Sequence, residues 1–251
     1  MSYPGGMLAV VFRERASWLP GAVVWWREVP ASTSSDSTSS DSTSSDTAPP
    51  KQRILPDGCL DLIWSDGTLL VAGPDSAARL TMTRSGARYV GLRFAPGTGP
   101  AALGVPGHAL LDEQVRLDEL WPAARVRALT DRLVTSARPD EVLERAAAGP
   151  LRGADPMAPV IVAALRAGAT VAATADAVGL SERQLHRRCL DAFGYGPKRL
   201  ARVLRMERAV ELARAGKPFA EVAIDAGYAD QAHLTREVKA LAGVSLTVLT
   251  S

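Results

Sequence analysis

Two regimes of hydrophobic patterning divide the chain. Its first hundred residues hold short apolar runs with two-residue alternation, and the rest holds longer stretches in which apolar positions recur every three or four residues. Leu8–Phe12, Ala22–Val29, Cys59–Trp64, Thr68–Ala72, Arg79–Thr83 and Tyr89–Phe94 are rich in β-branched or aromatic residues and bounded by Gly, Pro and Asp, which predicts six strands. Six short strands in succession point to a sandwich or barrel. From about Pro100 the signals become helical. Asp118 and Pro122 precede a periodic stretch over Ala123–Ala137, and Asp140 opens another through Ala148. Gly149, Pro150, Gly153 and Pro156 then interrupt the chain, placing a boundary between residues 1–154 and 155–251. Past it, Pro156–Arg166, Val171–Val178, Ser181–Phe193, Pro197–Ala215, Phe219–Ala226 and Asp230–Ala242 each carry an apolar stripe and end near a glycine. The fold class expected is α+β: a β-rich, barrel- or sandwich-like N-terminal domain with trailing helices, then an all-α domain.

One segment cannot pack. Ser32–Asp46 is the unit STSSD written three times, followed by Thr47, Ala48, Pro49 and Pro50. With no apolar side chain to offset the entropy of ordering, residues 32–50 are expected to be a disordered loop inserted between strands, its ends about 20 Å apart as a flexible coil. A tolerated insertion and a phosphorylated or partner-binding segment both fit that composition.

The 251 residues, 47% hydrophobic and 22% charged, exclude collagen, a coiled-coil rod and a wholly disordered chain. The apolar stretch Met7–Phe12 is too short for a signal peptide and runs into Arg13, Glu14 and Arg15, and no run approaches the roughly 20 apolar residues that span a bilayer. No membrane association is expected. Cys59 and Cys189 form neither a disulfide framework nor a CxxC pair, which suits a reducing cytoplasm. His108, His186 and His233 stand far apart, so no metal, cofactor or catalytic triad is expected.

The most informative feature is a duplication. Ala172–Gly194 (AATADAVGLSERQLHRRCLDAFG) and Ala220–Gly243 (AEVAIDAGYADQAHLTREVKALAG) share one plan, in which Ala175, Gly179 and Leu185 answer to Ala223, Gly227 and Leu234. The small Ala lets two helices cross closely, the Gly takes a left-handed turn, and the Leu fills the angle between the helices. At 100° per residue Leu185, Cys189, Ala192 and Phe193 share one face of the first copy's second helix, leaving Arg183 and Arg187 outside. In the second copy Leu234, Val238 and Leu241 are the apolar stripe; Ala232, Arg236 and Lys239 lie opposite, with Gln231 and His233 exposed in the first turn. Ser181 and Asp230 are N-cap residues. Arg for guanine, Gln for adenine and positive charge for phosphates are what a major-groove reader needs. Between the copies, about 19 helical residues would span nearly 30 Å, close to the roughly 34 Å of one DNA turn.

On these residues the chain resembles the AraC/XylS-type transcriptional regulators: AxxxG-LS in the first motif, GxxPxxLxxxxRMERAVELA across the linker and EVAxDAGYADQAHLTREVK in the second. The resemblance covers residues 155–251. It implies double-stranded DNA and RNA polymerase as partners, with base contacts on Arg183, His186 and Arg187 and on Gln231, Ala232, His233 and Arg236. Arg188, Lys198 and Arg199 are the candidate phosphate contacts. Departures from the family pattern are Cys189, Val238 and Leu200 where aromatics are common, and the ending SLTVLTS.

ILPDGCLDLIW (Ile54–Trp64), LLVAGPD, GLRFAPG and LGVPGHALLDEQVRLDELW resemble an uncharacterised β-rich domain often joined to such regulators. That resemblance implies a cupin-like domain that senses a small-molecule effector or forms a homodimer, or docks a protein partner. Alternation places Leu60, Leu62 and Trp64 on one face and Cys59, Asp61 and Ile63 on the other, while Val90, Leu92 and Phe94 oppose Tyr89 and Arg93. Trp25, Trp26, Cys59, Asp61, Trp64 and Arg93 are the pocket candidates; tryptophans in a core, with Asp61 and Arg93 as satisfied polar groups, are the alternative. A cysteine-based methyl-acceptor repair protein is a remote reading of Cys59, which has no nearby histidine to lower its pKa.

Charge separates the halves only weakly. The 29 basic and 27 acidic residues leave +2, but residues 183–208 hold eight basic side chains against Asp191 and Glu207. The first motif and the linker are therefore expected to supply most of the salt-dependent affinity.

Overall fold

The computed structural model describes residues 11–31, 51–82 and 84–250. The start of the first expected strand (Leu8–Val10), the Ser/Thr/Asp segment 32–50 and Thr83 lie outside them. Strands are β1 (Val11–Ala16), β2 (Ala22–Glu28), β3 (Lys51–Ile54), β4 (Leu60–Ser65), β5 (Thr68–Ala72), β6 (Arg79–Met82), β7 (Arg88–Phe94) and β8 (Gln114–Arg116). Among the described residues six of them form one antiparallel sheet, ordered β1-β2-β7-β4-β5-β8, and β3 pairs with β6 in a separate ribbon.

Register sets the faces of the sheet. Val24 stands opposite Leu92 and Leu62 opposite Leu92 from the other side, with Trp26 and Trp64 flanking Val90 in the same way. Because side chains alternate, this row buries itself against one core together with Leu60, Phe94 and Val71. Helices α1 (Gly99–Leu103), α2 (Ala123–Thr135) and α3 (Pro139–Ala148) cover that face, contributing Leu103, Leu129, Leu133 and Leu143. Edge strand β1 runs on through Arg13, Glu14 and Arg15 because its partner is the regular strand β2, and charges suit an exposed edge. Arg15 also ties β1 to α3, contacting Asp140 at 2.6 Å and the fully buried Glu144 at 3.0 Å.

β3 and β8 are short and polar and owe their shape to pairing, so neither shows a strand pattern in isolation.

The helical region runs α4 (Ala158–Arg166), α5 (Val171–Ala177), α6 (Glu182–Phe193), α7 (Pro197–Arg214), α8 (Phe219–Asp225), α9 (Gln231–Ala242) and α10 (Leu246–Thr250). It has two cores. Leu185, Cys189, Phe193 and Ile161 fill the first, and Leu234, Val238, Leu241 and Val222 fill the second. Helix α7 belongs to both, giving Leu200, Val203 and Leu204 to the first and Met206, Ala209, Val210 and Ala213 to the second. That shared stripe makes α7 a continuous beam between two helix pairs. No helix among the described residues is long and apolar enough to cross a membrane.

Candidate nucleic-acid interface

Each helix pair is built by the same local devices. Thr170 caps α5, its hydroxyl accepting from the Ala173 amide at 3.1 Å. Ala175 is buried where α5 meets α6, and Gly179 turns the chain with φ +66°. Ser181 opens α6 with a reciprocal cap: its hydroxyl accepts from the Gln184 amide at 3.3 Å while Gln184 Oε1 accepts from the Ser181 amide at 2.9 Å. The second pair repeats this with buried Ala223, Gly227 at φ +81° and Asp230 capping α9, whose Oδ1 accepts from the His233 amide at 2.6 Å. Both outer helices therefore begin with oriented, partly open backbone amides.

The outward faces carry the expected readers. Arg183 and Arg187 are exposed on α6, as are Gln231, Ala232 and Arg236 on α9. His186 packs against the turn after α6: a Cβ at Gly196 would sit 2.5 Å from its Cε1, so the glycine makes room for the ring. Arg183, His186, Lys198 and Arg199 line one open groove of about 500 Å³ with Val171 and Glu182. Four of the basic or histidine side chains singled out from sequence thus converge on one surface. Glu182, an acid in that groove, was not among the candidates; its place as the first residue of α6 was the available signal.

Three expected cations have other duties. Arg188 holds Asp155 through two hydrogen bonds of 2.6 Å, tying α6 to the segment before α4. Arg202 is held by Glu237 at 2.8 Å, and Arg205 stands 5.5 Å over the Tyr228 ring. Carboxylates outside residues 183–208 therefore neutralise two of that stretch's eight basic side chains. His233 braces its own helix start, its Nδ1 accepting from the Ala229 amide at 3.3 Å and its ring meeting Tyr228 edge-on at 5.3 Å.

The pocket candidates divide between the two faces of the sheet. Trp26 and Trp64 pack against the main core. Trp25, Asp61 and Arg93 lie on the opposite face: Trp25 Nε1 donates to Asp61 at 2.7 Å, and Arg93 pairs with Asp61 at 3.3 Å and with Asp57 at 3.6 Å. Trp25 lies across Gly91, where a Cβ would come within 2.1 Å of its ring, and Phe12 stacks on it at 6.2 Å. Burial, reinforced by the Asp57 charge, holds the Cys59 thiol well above its usual range, the reverse of an activated thiolate. Over this face runs α7. Arg93, Asp57, Phe12 and Leu55 on one side and Met206, Glu207 and Val210 on the other enclose a cleft of about 350 Å³.

Residues 174–250 match the family model described as a helix-turn-helix domain, and residues 38–116 match a domain of unknown function, DUF6597. No curated protein matches the chain. Solved structures similar to it include the C-terminal domain of AraT, a response regulator from Geobacillus stearothermophilus, at 24% identity and a TM-score of 0.36, covering 38% of this chain and 84% of that one. They also include ToxT from Vibrio cholerae, at 12% identity and a TM-score of 0.46, covering 80% of this chain and 98% of that one. Wild-type ToxT bound to an unsaturated fatty acid is similar at 9% identity and a TM-score of 0.42, covering 79% and 93%. With its duplicated helix pairs, their outward arginines and the matched models, the chain carries a helix-turn-helix domain of the AraC type and a DUF6597 domain.

Proposed function

We propose that one molecule binds a two-part duplex site and that an effector at the β-rich region, residues 1–154, modulates the binding. Arg183, His186 and Arg187 meet base edges in one major groove, Gln231, Ala232 and Arg236 meet them in the next, and Lys198 and Arg199 contact phosphates between. The observation that supports this reading is the pair of capped outer helices on either side of α7. Its 18 residues extend about 27 Å, which approaches one DNA turn. Selection of bound duplexes from a random library tests it. Two half-sites about one turn apart are the expected product; a single short half-site would overturn the two-part reading.

The effector reading rests on the cleft between the outer sheet face and α7, where Arg93 and Asp57 meet an apolar lining from Phe12, Leu55, Met206 and Val210. A small molecule with both polar and apolar parts suits it. Thermal-shift screening of the full chain against metabolites should find one that stabilises saturably and changes duplex affinity. Stabilisation without any change in affinity would assign the cleft no regulatory role.

A further inference from the structure

The β-rich region reaches the C-terminal ends of both outer helices. At the end of α6, Gly194 is left-handed, with φ +82°, and a Cβ there would lie 2.7 Å from Pro74 Cγ. Gly107 approaches the same helix end so closely that a Cβ on it would lie 2.7 Å from the Gly194 nitrogen. His108 stands 3.3 Å from Asp191 one turn earlier. At the end of α9, the Ala78 amide donates to the Leu241 carbonyl at 2.6 Å, and Arg53 donates to the Ala242 carbonyl at 2.8 Å. These carbonyls belong to the last turn of α9, where no intrahelical donor remains and the helix dipole favours a cation.

Pro74 and Ala78 are the two ends of one short loop. That loop is braced by the rest of the β-rich region: Asp75 pairs with Arg79 at 3.2 Å, Asp112 accepts from the Ser76 amide at 2.6 Å, and the Asp112 amide donates to the Pro74 carbonyl at 3.0 Å. Asp75 is itself buried. A braced five-residue segment with one end on α6 and the other on α9 works as a spacer between them, in parallel with α7.

We infer that Pro74–Ala78 is a strut by which the β-rich region fixes the separation and angle of the two recognition helices, and so the half-site spacing the protein accepts. This rests on the two-part reading of the DNA site. It assigns the β-rich region a direct part in DNA specificity whether or not an effector binds. A rigid pair of readers loses less freedom on binding than a hinged pair and tolerates fewer geometries.

The test uses full-length protein and a duplex library in which the spacing between the selected half-sites varies base pair by base pair. Wild type should accept one spacing. Inserting two glycines between Ser76 and Ala77 should lose that discrimination, so that neighbouring spacings bind as well as the original. Arg53→Met removes the bond to the Ala242 carbonyl and should broaden the tolerance in the same direction; it carries the test if the insertion variant fails to melt cooperatively. Either folded variant keeping the single sharp spacing overturns the strut, and so does either binding the wild-type site more tightly than wild type. Two half-sites at indifferent spacing in wild type would also overturn it, whereas one half-site would instead refute the two-part reading.

Discussion

Neighbouring arginines on α6 should behave in opposite ways. Arg187 is exposed, and nothing among the described residues pairs with it, so Arg187→Ala removes a side chain the fold does not use. If it reads a base, its loss costs about 1 to 3 kcal/mol on the specific duplex, which is about five- to 150-fold in Kd. Arg188 is its control. Its paired 2.6 Å bonds to Asp155 are half-sheltered, with 35% and 21% of the two side chains exposed, and Asp155 also accepts from the Met157 amide at 2.9 Å at the start of α4. Arg188→Ala should therefore cost stability, about 1 kcal/mol for a pair near the surface, or about 2 to 4 °C in Tm for a chain of this size. Fluorescence anisotropy on specific and random duplexes, beside thermal melts of both variants, reads both effects. Arg187→Ala should leave Tm unchanged and relax preference at one base position. Equal loss on specific and random duplexes would make Arg187 a phosphate contact, and a lowered Tm would make it structural.

Two further outcomes follow from buried groups. Burial raises Asp75 to about 6 against the pull of Arg79, with the Asp112 and Asp57 charges adding to the rise. Its folded state then binds a proton more tightly than the unfolded chain, whose Asp titrates near about 3.9. Stability should fall as pH climbs from about 4 to about 6, and Asp75→Asn should flatten that part of the urea-denaturation profile; a variant tracking wild type across the window would refute the assignment. On the sheet, Gly91→Ala would place a methyl 2.1 Å from the Trp25 ring. Overpacking of this kind costs about 1 to 3 kcal/mol, to be read as a lower denaturation midpoint; an unchanged midpoint would mean that Trp25 swings away freely.

The sheet was legible where strands alternate and obscure where they do not. Residues 60–62 and 90–94 display their two faces in sequence, since Leu60, Leu62, Val90, Leu92 and Phe94 are buried while Asp61 and Arg93 stand between them. Lys51–Ile54 and Gln114–Arg116 carry no such contrast, since each exists through one neighbour. Among the pocket candidates, alternation correctly opposed Trp64 to Asp61. It gave no ground for choosing between Trp25 and Trp26, which the register with Gly91 and Val90 separates.

What the amino-acid sequence determined by itself is the duplicated helix pair. Each half is specified within about 25 residues by an N-cap, a left-handed glycine and apolar positions at helical spacing, all devices that act between near neighbours along the chain. Only the tertiary structure decided which of the basic side chains are held by carboxylates. Arg188 and Arg202 find Asp155 and Glu237, 33 and 35 positions away, and no spacing rule singles out those carboxylates from the others. The same holds for Pro74–Ala78, an ordinary polar loop in sequence, whose two ends meet helices more than a hundred residues later. Partnerships over such distances are set by how two cores pack against each other, and the local pattern of residues does not encode that.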